Sequence, residues 1–108
     1  MPVTVRLTDD AAGDLEEIFD YVSRQDAPSR AEHVLDRIEE AFQSLSAFPQ
    51  RGSYPRELLD LGVREYREVF FKPYRIIYRV MEDGVYVMVV ANGRRDMRAL
   101  LQRRLFRA

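Results

Sequence analysis

Tyr74-Arg75-Ile76-Ile77-Tyr78-Arg79-Val80-Met81, then Glu82-Asp83-Gly84, then Val85-Tyr86-Val87-Met88-Val89-Val90-Ala91-Asn92, is the stretch that decides the fold. β-Branched and aromatic residues dominate both runs, and such side chains suit a pleated, half-buried surface. Glu82-Asp83-Gly84 supplies turn chemistry between them, so the two runs read as a β-hairpin. The second run is almost continuously apolar, as a central strand covered on both faces should be. In the first run the strand period of two puts Arg75, Ile77, Arg79 and Met81 on one face and Tyr74, Ile76, Tyr78 and Val80 on the other.

Working outward, Lys72-Pro73 turns the chain back to a less regular strand over Arg64 to Phe71. Phe48-Pro49-Gln50-Arg51-Gly52-Ser53-Tyr54-Pro55 is a turn-rich connector. Before it, Ala31, Val34, Leu35, Ile38, Ala41, Phe42 and Leu45 form an apolar stripe, which predicts a helix from about Pro28 to Ala47. Ala11, Leu15, Ile18 and Val22, with Phe19 beside them, predict an earlier helix from about Asp9 to Arg24, started by Thr8-Asp9-Asp10. The short loop between them makes a helical hairpin. Val3, Val5 and Leu7 alternate with polar residues and read as a first strand. Asn92-Gly93 ends the sheet, and Asp96 caps a last helix with Met97, Leu100, Leu101 and Leu105 apolar. The predicted order is β-α-α-β-β-β-α: an α+β fold in which a helical hairpin packs on a mostly antiparallel four-stranded sheet.

One domain accounts for all 108 residues. No repeat or low-complexity segment is visible. The absence of cysteine rules out disulfides, thiolate zinc sites and a cysteine nucleophile, and suits a reducing cytoplasm. No apolar run reaches the roughly 20 residues of a membrane helix, and Met1-Pro2-Val3 does not open like a signal peptide, so no membrane role is expected. The formal net charge of −1 conceals an asymmetry. Residues 1–62 carry 6 Arg and 13 Asp+Glu, and residues 63–108 carry 10 Arg, one Lys and 5 Asp+Glu, for nets of about −7 and +6. Such a basic half offers a surface to an acidic partner or to nucleic acid.

Arg64, Arg67, Arg75 and Arg79 fall on neighbouring strands, and such a cluster is costly unless carboxylates or phosphates offset it. Both readings stay open: sheet arginines paired with the acidic helices, or an anion-facing surface. The C-terminal tract Arg94, Arg95, Arg98, Arg103, Arg104 and Arg107 has the same two readings, since arginines in a last turn also complement the helix dipole. Tyr74 and Tyr78 read as packing residues. His33, the one histidine, lies off the centre of its apolar stripe and reads as solvated. One histidine and no cysteine make a transition-metal site improbable, and no cofactor is expected. Ser44 and Ser46 have no basic partner nearby, and the isolated Gly52, Gly62, Gly84 and Gly93 form no phosphate-cradling loop.

The layout resembles the RelE/ParE superfamily, the toxin half of bacterial type II toxin–antitoxin pairs. The resemblance covers nearly the whole chain. Its marks are Ala12, Asp14-Leu15, Glu17-Ile18 and Tyr21, then Leu45, Pro49 and Gly52, then Gly62-Val63-Arg64, Tyr74-Arg75-Ile76-Ile77-Tyr78-Arg79-Val80 and Gly93-Arg94-Arg95-Asp96. RelE-like members are mRNA endonucleases that act on the ribosome; ParE-like members poison DNA gyrase and lack the nuclease set. By that resemblance Arg75 and Arg95 stand at the two nuclease arginine positions, the basic pair falls on Tyr66 and Glu68, and the C-terminal aromatic falls near Leu101. The incomplete set favours a ParE-like gyrase poison without chemistry of its own. The alternative is a nuclease using Arg75 and Arg95 with Glu57 or Glu68 as base. A third reading is a non-toxic co-regulator that binds antitoxin or DNA.

The resemblance also implies a cognate antitoxin that neutralises the toxin and carries it to operator DNA. Arg64, Arg67, Arg75, Arg79, Arg94, Arg95 and Arg98 are then the residues expected to bind target or antitoxin. The groove between hairpin and sheet suits an amphipathic helix, and a sheet edge at Val3 to Leu7 or Arg64 to Phe71 suits an added strand. Phe48, Tyr54, Leu58, Leu59 and Leu61 are candidates for the same surface or for a lid on the core.

Overall fold

The computed structural model describes residues 2–106. The elements run β1 (Val5–Leu7), α1 (Asp9–Gln25), α2 (Pro28–Gln43), a short α3 (Arg56–Leu59), β2 (Arg67–Phe71), β3 (Tyr74–Met81), β4 (Gly84–Asn92) and α4 (Met97–Leu105). The sheet order is β1-β4-β3-β2. The two pairs β2–β3 and β3–β4 are antiparallel, and β1 joins β4 in parallel. The α+β prediction therefore holds.

Local chemistry explains the helix ends. Thr8 Oγ1 accepts the Ala11 N–H at 3.1 Å and starts α1, and Asp96 Oδ1 accepts the Ala99 N–H at 3.1 Å and starts α4. Pro28 sits in the first turn of α2, where its missing N–H costs nothing. The α2 stripe continues past Gln43 only as a 3-10 turn over Ser44–Ser46, which seats Leu45 in the core. Ser44 Oγ donates to the Ala41 carbonyl and Ser46 Oγ to the Val3 carbonyl, so both serines serve the backbone.

The hairpin covers one face of the sheet. Ala11, Val34, Ile38, Phe42 and Leu45 meet Val69, Ile76, Tyr78, Val85, Val87 and Val90 there. The other face is covered by α3 and α4, where Leu58, Tyr66, Met97, Leu100 and Leu101 meet Ile77, Val89 and Ala91. This two-sided burial is why β4 is apolar almost throughout. A β-bulge sharpens the division: Ile77 pairs with Val89 but Tyr78 pairs with Val87, which leaves Met88 without a partner on β3. Val87 and Val90 consequently face the same helical hairpin, three residues apart.

Two expectations are corrected. The strand expected from Arg64 begins only at Arg67; Tyr66 is instead buried in the core beneath α4. Between the turn-rich connector and β2 the chain also forms α3, a four-residue helix too short to show a period in the sequence. Of the apolar residues assigned to a partner surface or lid, Leu58 is core, whereas Phe48, Leu59 and Leu61 are exposed.

Candidate functional site

Arg75 is the centre of the clearest polar cluster. It stands on β3, on the α3/α4 side of the sheet. Its Nη1 and Nη2 each donate to one oxygen of Glu57, both at 2.8 Å, in a two-pronged pair. Its Nε donates to Glu68 Oε1, also at 2.8 Å. Glu57 comes from α3 and Glu68 from β2, so one guanidinium ties three elements together. Gly93 makes room for the arginine stem: a Cβ there would lie 2.9 Å from Arg75 Cδ.

The two carboxyls respond in opposite directions. The hydrogen bonds from Arg75 hold Glu57 down at about 2 against burial that would raise it. Glu68 has a single bond from Arg75 and a buried side chain, and there burial prevails and pushes its carboxyl up. Arg75 itself is raised, chiefly by Glu57. With both carboxylates ionised the cluster is net negative. It walls a cleft of about 630 Å³ that Tyr54, Leu59 and Phe70 also border.

A second guanidinium closes the opposite edge. Arg104 of α4 donates to both oxygens of Asp14 on α1, at 2.9 and 3.0 Å. It also donates to the Met88 carbonyl at 3.0 Å, while Asp14 Oδ2 accepts the Val90 N–H at 2.9 Å. Beyond the end of β1, the pair therefore satisfies edge groups of β4 that no strand covers. Sequence reasoning missed this role of Arg104; its signal was an arginine at the dipole end of a helix, one of several in a basic tract. Beside the pair lies a groove of about 440 Å³ between α1 and β4, floored by Ile18, Tyr74 and Val90. Tyr21 stands 60% exposed on its rim.

The remaining expected site residues separate. Arg94 and Arg95 border the α1/β4 groove and are exposed, away from the carboxylates that hold Arg75. Arg98 pairs with Asp60 at 3.2 Å. Arg64, Arg67 and Arg79 gather around a third cleft at the start of β2. Leu101 and Tyr66 are core residues, Tyr74 and Tyr78 are buried, and His33 is exposed. Arg107 lies outside the described residues. Among the described residues no group of three or more His, Asp or Glu side chains could hold a metal ion, and no helix is long and apolar enough to cross a membrane.

Residues 5–97 match the family model for the ParE toxin of the type II toxin–antitoxin system parDE. Toxin ParE3 of Caulobacter vibrioides is 34% identical over 92 residues, covering 83% of this chain and 86% of that protein. The fold is similar to a chain of the chromosomal ParDE toxin–antitoxin system of P. aeruginosa, with TM-score 0.72 and 19% identity, over 83% of this chain and 95% of that one. It is also similar to a chain of the toxin–antitoxin complex RelBE2 of Mycobacterium tuberculosis, with TM-score 0.57 and 27% identity, over 85% and 92% of the two chains. The pattern of residues, the hairpin-on-sheet architecture and the match across most of its length agree: the chain belongs to the ParE toxin family of type II toxin–antitoxin systems.

Proposed function

We propose that this chain arrests growth by binding and poisoning DNA gyrase in the cytoplasm, and that a cognate antitoxin holds it in check. The observation that carries the reading is the state of Arg75. Two carboxylates occupy three of its five N–H donors with charge-assisted bonds. A phosphodiester approaching it would have to displace Glu57 and would meet the negative charge of both glutamates. Glu57, held at about 2, is also a poor general base near neutral pH. A chain that works by binding needs no such base.

The α1/β4 groove supports the antitoxin part of the reading. Its apolar floor and exposed Tyr21 suit an amphipathic segment, and Arg94 and Arg95 stand where acidic side chains of that segment would meet them. Operator DNA is reached through the antitoxin, not by this chain. The protein whose sequence it resembles bears the name of a ParE toxin, and the two solved relatives belong to toxin–antitoxin pairs.

A specific observation keeps the nuclease alternative in view. Glu68 is buried with its carboxyl raised, the direction a general base acting near neutral pH requires. One experiment separates the two. Purified chain is added to gyrase, scored for lost supercoiling and trapped cleavage complexes, and to translating ribosomes, scored for cut mRNA. Gyrase inhibition with intact mRNA is the expected result. Cut mRNA with unaffected gyrase would replace this reading by the nuclease one.

A further inference from the structure

Five arginines among the described residues are paired with carboxylates: Arg75 with Glu57 and Glu68, Arg104 with Asp10 and Asp14, Arg98 with Asp60, Arg6 with Asp83 and Arg37 with Glu40. Three others come together around one cleft at the start of β2. Arg64, Arg67 and Arg79 border one cleft of about 240 Å³, and no ion pair to any of them is found among the described residues. Two of the three are nonetheless held in place. Arg67 donates to the Gly52 carbonyl at 2.9 Å and to the Tyr54 hydroxyl at 3.1 Å, and its guanidinium lies 4.5 Å from the Tyr54 ring centroid. Arg79 lies 5.8 Å from the ring centroid of Tyr66. Neutral acceptors and aromatic faces fix these cations without cancelling their charge. The charge is preorganised and unspent.

We propose that this cleft is a carboxylate-binding site that takes a short acidic segment of a protein partner. Its surroundings favour a peptide over nucleic acid. A nucleic-acid strand presents a continuous line of phosphates and needs a track of cations leading away. Here carboxylates interrupt the cations: Glu65 lies in the wall of the cleft itself, and in the next cleft Glu57, Asp60 and Glu68 stand beside Arg56 and Arg75. Val80, partly exposed in the same wall, offers an apolar contact that a peptide can use and a phosphate cannot. The inference rests on the chain acting as a binding protein, but its test does not involve gyrase, so the two readings fail separately.

The test is fluorescence anisotropy of the purified chain with three labelled probes at low ionic strength. They are a short peptide alternating Glu and Ala, the same peptide with Gln for Glu, and a single-stranded oligonucleotide of equal charge. The Glu peptide is expected to bind most tightly, to weaken with added salt, and to lose about tenfold in affinity with the double variant R64Q/R79Q. Arg67 is left intact because it supports Gly52 and Tyr54. A thermal melt checks the fold of the double variant, and R64Q alone, at an exposed position, serves if that fold is lost. Equal binding of the Gln peptide, tighter binding of the oligonucleotide, no binding of the Glu peptide, or unchanged affinity in the folded variant would each overturn the proposal.

Discussion

At the scale of single residues, the molecule turns on what its arginines touch. Replacing Arg75 by methionine keeps much of the stem but leaves Glu57 and Glu68 facing each other in a site shielded from water. The expected loss is about 3–5 kcal/mol of stability, read from urea unfolding, because the remaining charges lose their partner. Lysine at the same position should recover only part of this, since an ammonium cannot reproduce the fork that meets Glu57 with two bonds. If both variants unfold like the parent, the cluster is not structural and Arg75 is free for other work. Gly52 makes an equally sharp case. Its N–H is donated to the Tyr78 hydroxyl at 3.0 Å, and a Cβ there would lie 2.6 Å from that hydroxyl and 2.6 Å from the Glu68 carbonyl oxygen. Both neighbours are buried, so G52A is expected to lower the melting temperature by far more than a surface substitution would.

At the scale of elements, α4 depends on more than its apolar face. Leu100 and Leu101 pack under it, yet its far end is held by Arg104 to Asp14 and to the Met88 carbonyl. R104A should cost several kcal/mol, because it leaves Asp14 partly buried without its cation. Limited proteolysis should then cut within or just before α4 while the hairpin stays protected; an unchanged digestion pattern would refute this. The same element shows what was legible in the sequence. Met97, Leu100 and Leu101 announced the helix and its buried side by spacing alone. The partner of Arg104 was not legible, because Asp14 lies 90 positions away on an acidic helix where a solvated face is the ordinary reading. The β3–β4 hairpin was read correctly from β-branched runs around Glu82-Asp83-Gly84. The late start of β2 was not, because Tyr66 suits a strand as well as it suits the core position it takes. Of the candidate site, the positions of Arg75 and Arg95 were legible by resemblance. That Glu57 and Glu68 clamp Arg75 while Arg95 borders another groove is a fact of tertiary packing, beyond any local pattern.

At the scale of the whole molecule, the glutamate pair sets an acid response. Glu57 has its carboxyl lowered from 4.5 to about 2, so its ionised form stabilises the fold at any pH above its unfolded value. That contribution is lost as pH falls from about 4.5 toward 2. Glu68 runs the other way. Its carboxyl is raised by burial, so its ionised form costs stability near neutrality, and that cost is relieved on acidification through the raised value. Urea midpoints across this range should therefore show E57Q without the steep acid limb of the parent, and E68Q without the early gain. Parallel profiles for parent and variants would show that other carboxylates govern acid unfolding.

The parallel pairing of β1 with β4 also bears on how the protein is made. Val5, Arg6 and Leu7 meet Val85, Tyr86 and Val87, so the first strand has no place in the sheet until a segment some eighty positions later exists. Closing so long a loop precedes any reward from the contacts it forms. Asp14 waits longer still, for Arg104. A nascent chain can make its helical hairpin early, but the sheet is finished only once β4 has been made. A surface built from both hairpin and sheet thus does not exist before β4 does, and any partner that reads such a surface must wait for it.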